Sequence, residues 1–86
     1  MSDDISAITG GQMRAARAFL RWRAEDLAIA ARIGVATVRR AEMEDGVPHM
    51  LTNNMLAIRR ALESAGIEFT NGSGVRMTAK QRRVSK

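Results

Sequence analysis

Arg39 and Arg40 stand side by side in the stretch Thr37-Val38-Arg39-Arg40-Ala41-Glu42, and Arg14, Arg17, Arg21 and Arg23 recur upstream. A guanidinium holds a fixed charge and a planar fork of donors. It suits phosphate oxygens or, where two prongs align, the edge of a guanine. For any single arginine the alternative is a solvated helix surface. Little else in the chain offers chemistry. There is no cysteine, hence no thiolate metal site and no disulfide. The lone histidine, His49 beside Pro48, cannot assemble a metal cluster and reads as a solvated loop residue. The carboxylates Glu42, Glu44 and Asp45 follow a basic stretch, and an acidic loop in that place is ordinarily solvated too. With no nucleophile–base pair, phosphate loop or metal constellation, the expectation is a non-enzyme that needs no cofactor and no metal.

The distribution of charge says more than its sum. The formal net charge is +5, yet residues 1–75 carry nine arginines and nine acids, so the excess lies in Arg76, Lys80, Arg82, Arg83 and Lys86. Met13 to Arg40 holds seven arginines against Glu25 and Asp26, whereas Ala41 to Val75 holds five acids against Arg59 and Arg60. A basic first half and a basic tail around an acidic middle suit a protein with one side turned to a polyanion. At 86 residues the chain is one domain near the lower size limit for a single core. No apolar run approaches a membrane span, and the acidic Met1-Ser2-Asp3-Asp4 start is unlike a signal peptide, so the cytoplasm is the expected compartment.

The elements that would position the arginines are legible. Ile8-Thr9-Gly10-Gly11-Gln12-Met13 opens a helix: Thr9 and Gln12 form a capping box, with Ile8 and Met13 as a hydrophobic staple. Met13, Ala16, Phe19 and Leu20 share its inner face as far as about Arg21 or Trp22. A second helix begins near Ala24 and turns Leu27, Ala28 and Ala31 inward, with Glu25 and Asp26 favoured by the dipole of its first turn. After a break at Arg32–Gly34 a short helix runs from Val35 to about Met43, followed by a loop over Glu44–Pro48. Thr52 opens another helix, with Met55, Ile58, Leu62 and Ala65 at helical spacing and Gly66 just past its end. Ile67-Glu68-Phe69 and Val75-Arg76-Met77 then alternate as a β-hairpin. A five-residue loop, Thr70–Gly74, sets Glu68 opposite Arg76 and puts Ile67, Phe69, Val75 and Met77 on one face. The expected organisation is a flexible N-terminus over 1–7, a domain over 8–77 and a basic, disordered tail over 78–86.

Leu27 to Glu42 resembles the helix-turn-helix of the Cro/repressor-like (XRE-type) regulators. Leu27, Ala28, Ala31 and Ile33 match around the turn, and Thr37, Val38 and the Arg39-Arg40 pair match in the recognition helix. Gln12 to Arg17 and Trp22 upstream, and Ile58 to Glu63 through Phe69-Thr70 downstream, extend the likeness over residues 8–77. Four positions depart from the pattern. Arg32 stands where glycine is frequent, Gly34 where serine or threonine caps the recognition helix, and Arg23-Ala24 where a polar cap and a glutamine open the preceding helix. The resemblance implies a mainly α, lambda-repressor-like domain of four to five helices with a short C-terminal β-hairpin.

It further implies a sequence-specific transcriptional regulator that sets residues 35–43 in the major groove of double-stranded DNA. Val35, Ala36 and Arg39 would face bases, and Arg14, Arg17, Arg23, Thr37 and Arg40 would face phosphates. One small footprint selects poorly, so a homodimer on an inverted repeat is expected, with recognition helices about 34 Å apart. Met55, Leu62, Ile67, Phe69, Val75 and Met77 are the residues assigned to its interface; Ile67 and Phe69 could equally close the monomer core. Autoregulation, as in small switches of phages and mobile elements, fits a chain without room for an effector domain. The alternative is a module of the same kind that binds a protein partner, as an antitoxin or an anti-activator.

Overall fold

The computed structural model describes residues 7–70 and 74–78. Four helices, α1 (Gly10–Leu20), α2 (Ala24–Ala31), α3 (Val35–Glu42) and α4 (Thr52–Ser64), precede a two-stranded antiparallel sheet of β1 (Ile67–Phe69) and β2 (Val75–Met77). The expected flexible start and basic tail fall outside the described residues, apart from Ala7 and Thr78. Thr78 extends the folded unit by one residue beyond its expected end, because its amide donates to the Gly66 carbonyl at 2.7 Å.

The capping box forms as read. The Gln12 amide donates to Thr9 Oγ1 at 2.9 Å, and Gln12 Oε1 accepts from the Thr9 amide at 2.8 Å. Gln12 is itself buried, and its Nε2 donates to the Gly74 carbonyl at 3.1 Å, tying the start of α1 to the hairpin. The α1 terminus is also docked onto the loop after α3: the Gly10 and Gly11 amides donate to the carbonyls of Gly46 and Asp45. Gly10 permits this approach, since a Cβ there would lie 1.9 Å from the Glu44 carbonyl oxygen.

Helices α1 and α2 both end on arginines in the left-handed region, Arg21 at φ 60° and Arg32 at φ 62°. A β-carbon is disfavoured there by about 1 kcal/mol or more. The same bonding pattern holds both turns. The Trp22 amide reaches the Arg17 carbonyl at 2.9 Å, and the Ile33 amide reaches that of Ala28 at 3.0 Å. The turn at Arg21 stops α1 at Leu20, short of its expected end, and Phe19 is half-exposed instead of facing inward.

The core gathers Ile8, Met13, Ala16, Leu27, Ala28, Val38, Ile58, Leu62 and Ile67, all almost inaccessible to solvent. Full burial of a side chain such as Leu27 or Val38 contributes about 1.5–3 kcal/mol. Alanines at 24, 28 and 31 let α2 pack closely between α3 and α4. Gly66, at φ 108°, follows α4 and turns the chain into β1. The hairpin has the expected register, Ile67 opposite Met77, Glu68 opposite Arg76 and Phe69 opposite Val75. An ion pair at 2.7 Å joins Glu68 and Arg76 on the outer face.

This packing removes Met55, Leu62 and Ile67 from the expected dimer surface. Met55, Leu62 and Ile67 are buried in the core of one chain, while Phe69, Val75 and Met77 pack against it from its edge. The apolar face of the hairpin closes the monomer.

Candidate nucleic-acid interface

Helix α3 is eight residues long and amphipathic. Val38, Ala41 and Glu42 are buried, whereas Ala36, Arg39 and Arg40 are exposed. Gly34 caps it with extended backbone and no side-chain bond, leaving its first turn uncapped by any hydroxyl or carboxylate. Three residues, Arg32-Ile33-Gly34, separate it from α2, so the left-handed Arg32 sets how α3 leaves the body of the protein.

The sequence-derived base readers separate into two kinds. Ala36 and Arg39 lie on the outward face, but Val35 is only partly exposed and packs against the core. The Arg39 guanidinium is held at the surface by Glu25 from the first turn of α2. Both side chains of this pair are about half exposed, at 56% and 45%, so it is a loosely held, solvated contact that contributes little to stability. Glu25 is kept ionised below the usual carboxylate range, first by its own backbone amide and then by Arg39 and Arg23.

The sequence-derived phosphate contacts separate too. Arg17 turns inward: its Nε and Nη2 donate to the two carboxylate oxygens of Glu42 at 2.8 and 2.7 Å, and Nη1 donates to the Trp22 carbonyl at 2.9 Å. This two-pronged pair joins α1 to α3 and to the α1–α2 junction. The hydrogen-bonded Glu42 carboxylate pushes the Arg17 pKa up, against partial burial. Arg17 is thereby committed to the fold and not to a ligand, a correction to its expected role. Arg14 is likewise engaged, donating to the Glu42 carbonyl and to Asp45 Oδ1 at 2.8 Å. Arg23 is three-quarters exposed and pairs with Asp26 at 3.3 Å. Asp26 accepts the Arg23 amide at 2.8 Å, and this bond followed by the guanidinium keeps its pKa low.

Arg40 differs from these. It is exposed and, among the described residues, has no ion-pair partner. With Thr37 it lines a recess of about 250 Å³ completed by His49, Met50, Leu51 and Asn54 at the start of α4. Helix α4 begins on Leu51 without a side-chain cap, so the positive end of its dipole opens beside Arg40. Sequence reasoning did not bring His49 or Asn54 to this place. The signal for Asn54 was available in the helix start at Thr52; the approach of the loop to α3 is a tertiary fact that spacing does not contain.

Comparison of the chain with protein-family models, curated proteins and solved structures finds no match.

Proposed function

We propose that this protein is a sequence-selective DNA-binding regulator that reads the major groove with α3. The observation that carries the reading is the outward face of α3. A half-buried α2–α3 pair with a three-residue connection projects Ala36, Arg39 and Arg40 away from a core built by Val38, Ala41 and Glu42. This arrangement supports the helix-turn-helix resemblance and sharpens the roles. Arg39 is the base reader: exchanging the solvated Glu25 contact for a guanine edge replaces a weak surface pair by two aligned hydrogen bonds. Ala36 offers a methyl group to thymine. Arg40, Thr37 and the uncapped start of α4 form the phosphate grip, with Arg23 as a second point across the α2 terminus.

Arg17 leaves this list, as its guanidinium is used on the buried Glu42 and the Trp22 carbonyl, and Arg14 leaves it because its guanidinium ties α1 to the Glu42 carbonyl at the end of α3. Of the residues assigned to a symmetric dimer, Met55, Leu62 and Ile67 leave it as well, being core positions. The proposal is tested by titrating the protein against short duplexes enriched from a random pool, across a salt series. Binding should weaken linearly in log–log form as salt rises, with a slope that falls by about 0.9 for Arg40→Ala as one phosphate contact is removed. Binding that is insensitive to salt, or an unchanged slope in Arg40→Ala, would contradict this assignment.

A further inference from the structure

On the other side of α2 lies an open groove of about 510 Å³ between α2 and α4. Trp22, Ala31, Ala61 and Ala65 give it an apolar lining, and Arg32 and Arg60 bring two guanidiniums to it. Both arginines are exposed, and neither has an ion-pair partner among the described residues. Alanine and indole surfaces supply apolar contact where a phosphate would seek donors. The complementary occupant is therefore an apolar segment that carries a carboxylate.

The chain displays such a segment itself. Among the described acids, Glu25, Asp26, Glu42, Asp45, Glu63 and Glu68 are all ion-paired, which leaves Glu44 as the carboxylate without a partner. Glu44 stands in the loop after α3 between two exposed apolar side chains, Met43 at 81% and Val47 at 54% exposure. The other large exposed apolar residues lack this pairing: the carboxylates one helical turn before Ile29, Glu25 and Asp26, already hold Arg39 and Arg23.

We propose that the Met43–Val47 loop of one copy docks into the α2–α4 groove of a second copy, with Glu44 set against Arg32 and Arg60. Loop and groove are different surfaces, so the contact is heterologous. A copy that accepts a loop still offers its own, and association continues past a dimer unless a ring closes. The footprint is small, which makes the association weak, in the range of about 10–100 µM. None of this depends on DNA, and the test is made without it.

Sedimentation velocity of the full chain from about 5 to 500 µM measures the association directly. The expected result is a weight-average sedimentation coefficient that climbs with concentration through dimer to larger species, and climbs less in high salt. Glu44→Lys and Arg60→Glu, both at exposed positions, should each weaken association about ten-fold, and an equimolar mixture of the two should recover it. Circular dichroism of each variant establishes that it is folded, and recovery in the mixture reports the charge match independently. A chain that stays monomeric throughout overturns the proposal. So does self-association that neither substitution alters, which would place the contact elsewhere. Failure of the mixture to recover while both variants are folded would remove the Glu44–Arg60 pairing.

Discussion

Glu42→Gln is the perturbation that most sharply separates a structural arginine from a DNA-contacting one. Glu42 is 7% exposed and Arg17 has 21% of its side chain exposed, and they meet through two charge-assisted hydrogen bonds of 2.7 and 2.8 Å. Removing one member of a fully buried pair costs about 3–5 kcal/mol, because the remaining charge is left without compensation. The exposed edge of Arg17 admits water to that charge, and the amide keeps one acceptor, so about 2–3 kcal/mol is the scale expected here. For a chain of this size, total stability is about 4–13 kcal/mol, and each kilocalorie corresponds to roughly 4–8 °C in Tm. Thermal and urea denaturation followed by circular dichroism should therefore show Glu42→Gln melting about 8–24 °C below the parent. Arg17→Met should lose a similar amount, and the double variant less than the sum, since the uncompensated charge disappears with its partner. A drop of less than about 3 °C for Glu42→Gln, or strict additivity in the cycle, would refute the reasoning.

Three further outcomes follow from particular residues. Arg32→Gly should raise stability by about 0.5–1 kcal/mol, because φ 62° suits glycine better than a residue with a β-carbon; a lowered urea midpoint would show that the Arg32 side chain contributes more than its backbone loses. Gly10→Ala should be among the most damaging small substitutions, at about 2 kcal/mol or more, because its methyl group meets the Glu44 carbonyl at 1.9 Å and must displace the loop from α1. Protease cleavage within residues 43–47 should rise in that variant, and an unchanged rate would mean the backbone accommodates the group without moving. Acid should weaken the α2 terminus. Glu25 and Asp26 have folded-state pKa values below their ordinary ones, so their stabilising contribution is complete above about pH 4.5 and is lost as pH falls through the lowered values. Melting temperature measured from pH 6 to about pH 2.5 should show Asp26→Asn with a shallower decline than the parent; parallel declines would exclude Asp26 as a source of the acid dependence.

Local chemistry was the part of this chain that could be read from residues alone. The Thr9–Gln12 box, the Gly66 stop and the register of the hairpin strands each depend on neighbours within a few positions, and each stands as the sequence indicates. The left-handed backbone of Arg32 was not legible in this way: the break at Arg32–Gly34 could be read, but an arginine is disfavoured in that conformation and nothing local announces it. Direction across longer separations was not legible either. Arg14, Arg17 and Arg21 recur on one helical side, but only folding reveals that a carboxylate 25 residues away waits for Arg17 while Arg21 sits in the turn that ends α1. The hairpin's apolar face was equally consistent with a closed monomer or a dimer, because alternation states that one face is buried and not what buries it. Here α1 and α4 cover it. The recess beside Arg40 and the groove at Arg60 belong to the same category, as both are made by elements distant in sequence.

The central claim is that Arg39 on α3 reads a base. Its direct measurement is a selection of bound duplexes from a random pool, performed in parallel with the parent chain and with Arg39→Ala, followed by affinity measurements on the parent's enriched duplex and a scrambled one. The expected result is an enriched motif containing a guanine that the variant no longer selects. The variant should lose about 1–3 kcal/mol on the enriched duplex and much less on the scrambled one. Equal losses on both duplexes, or the same motif recovered by both proteins, would contradict the assignment and return Arg39 to its surface pair with Glu25.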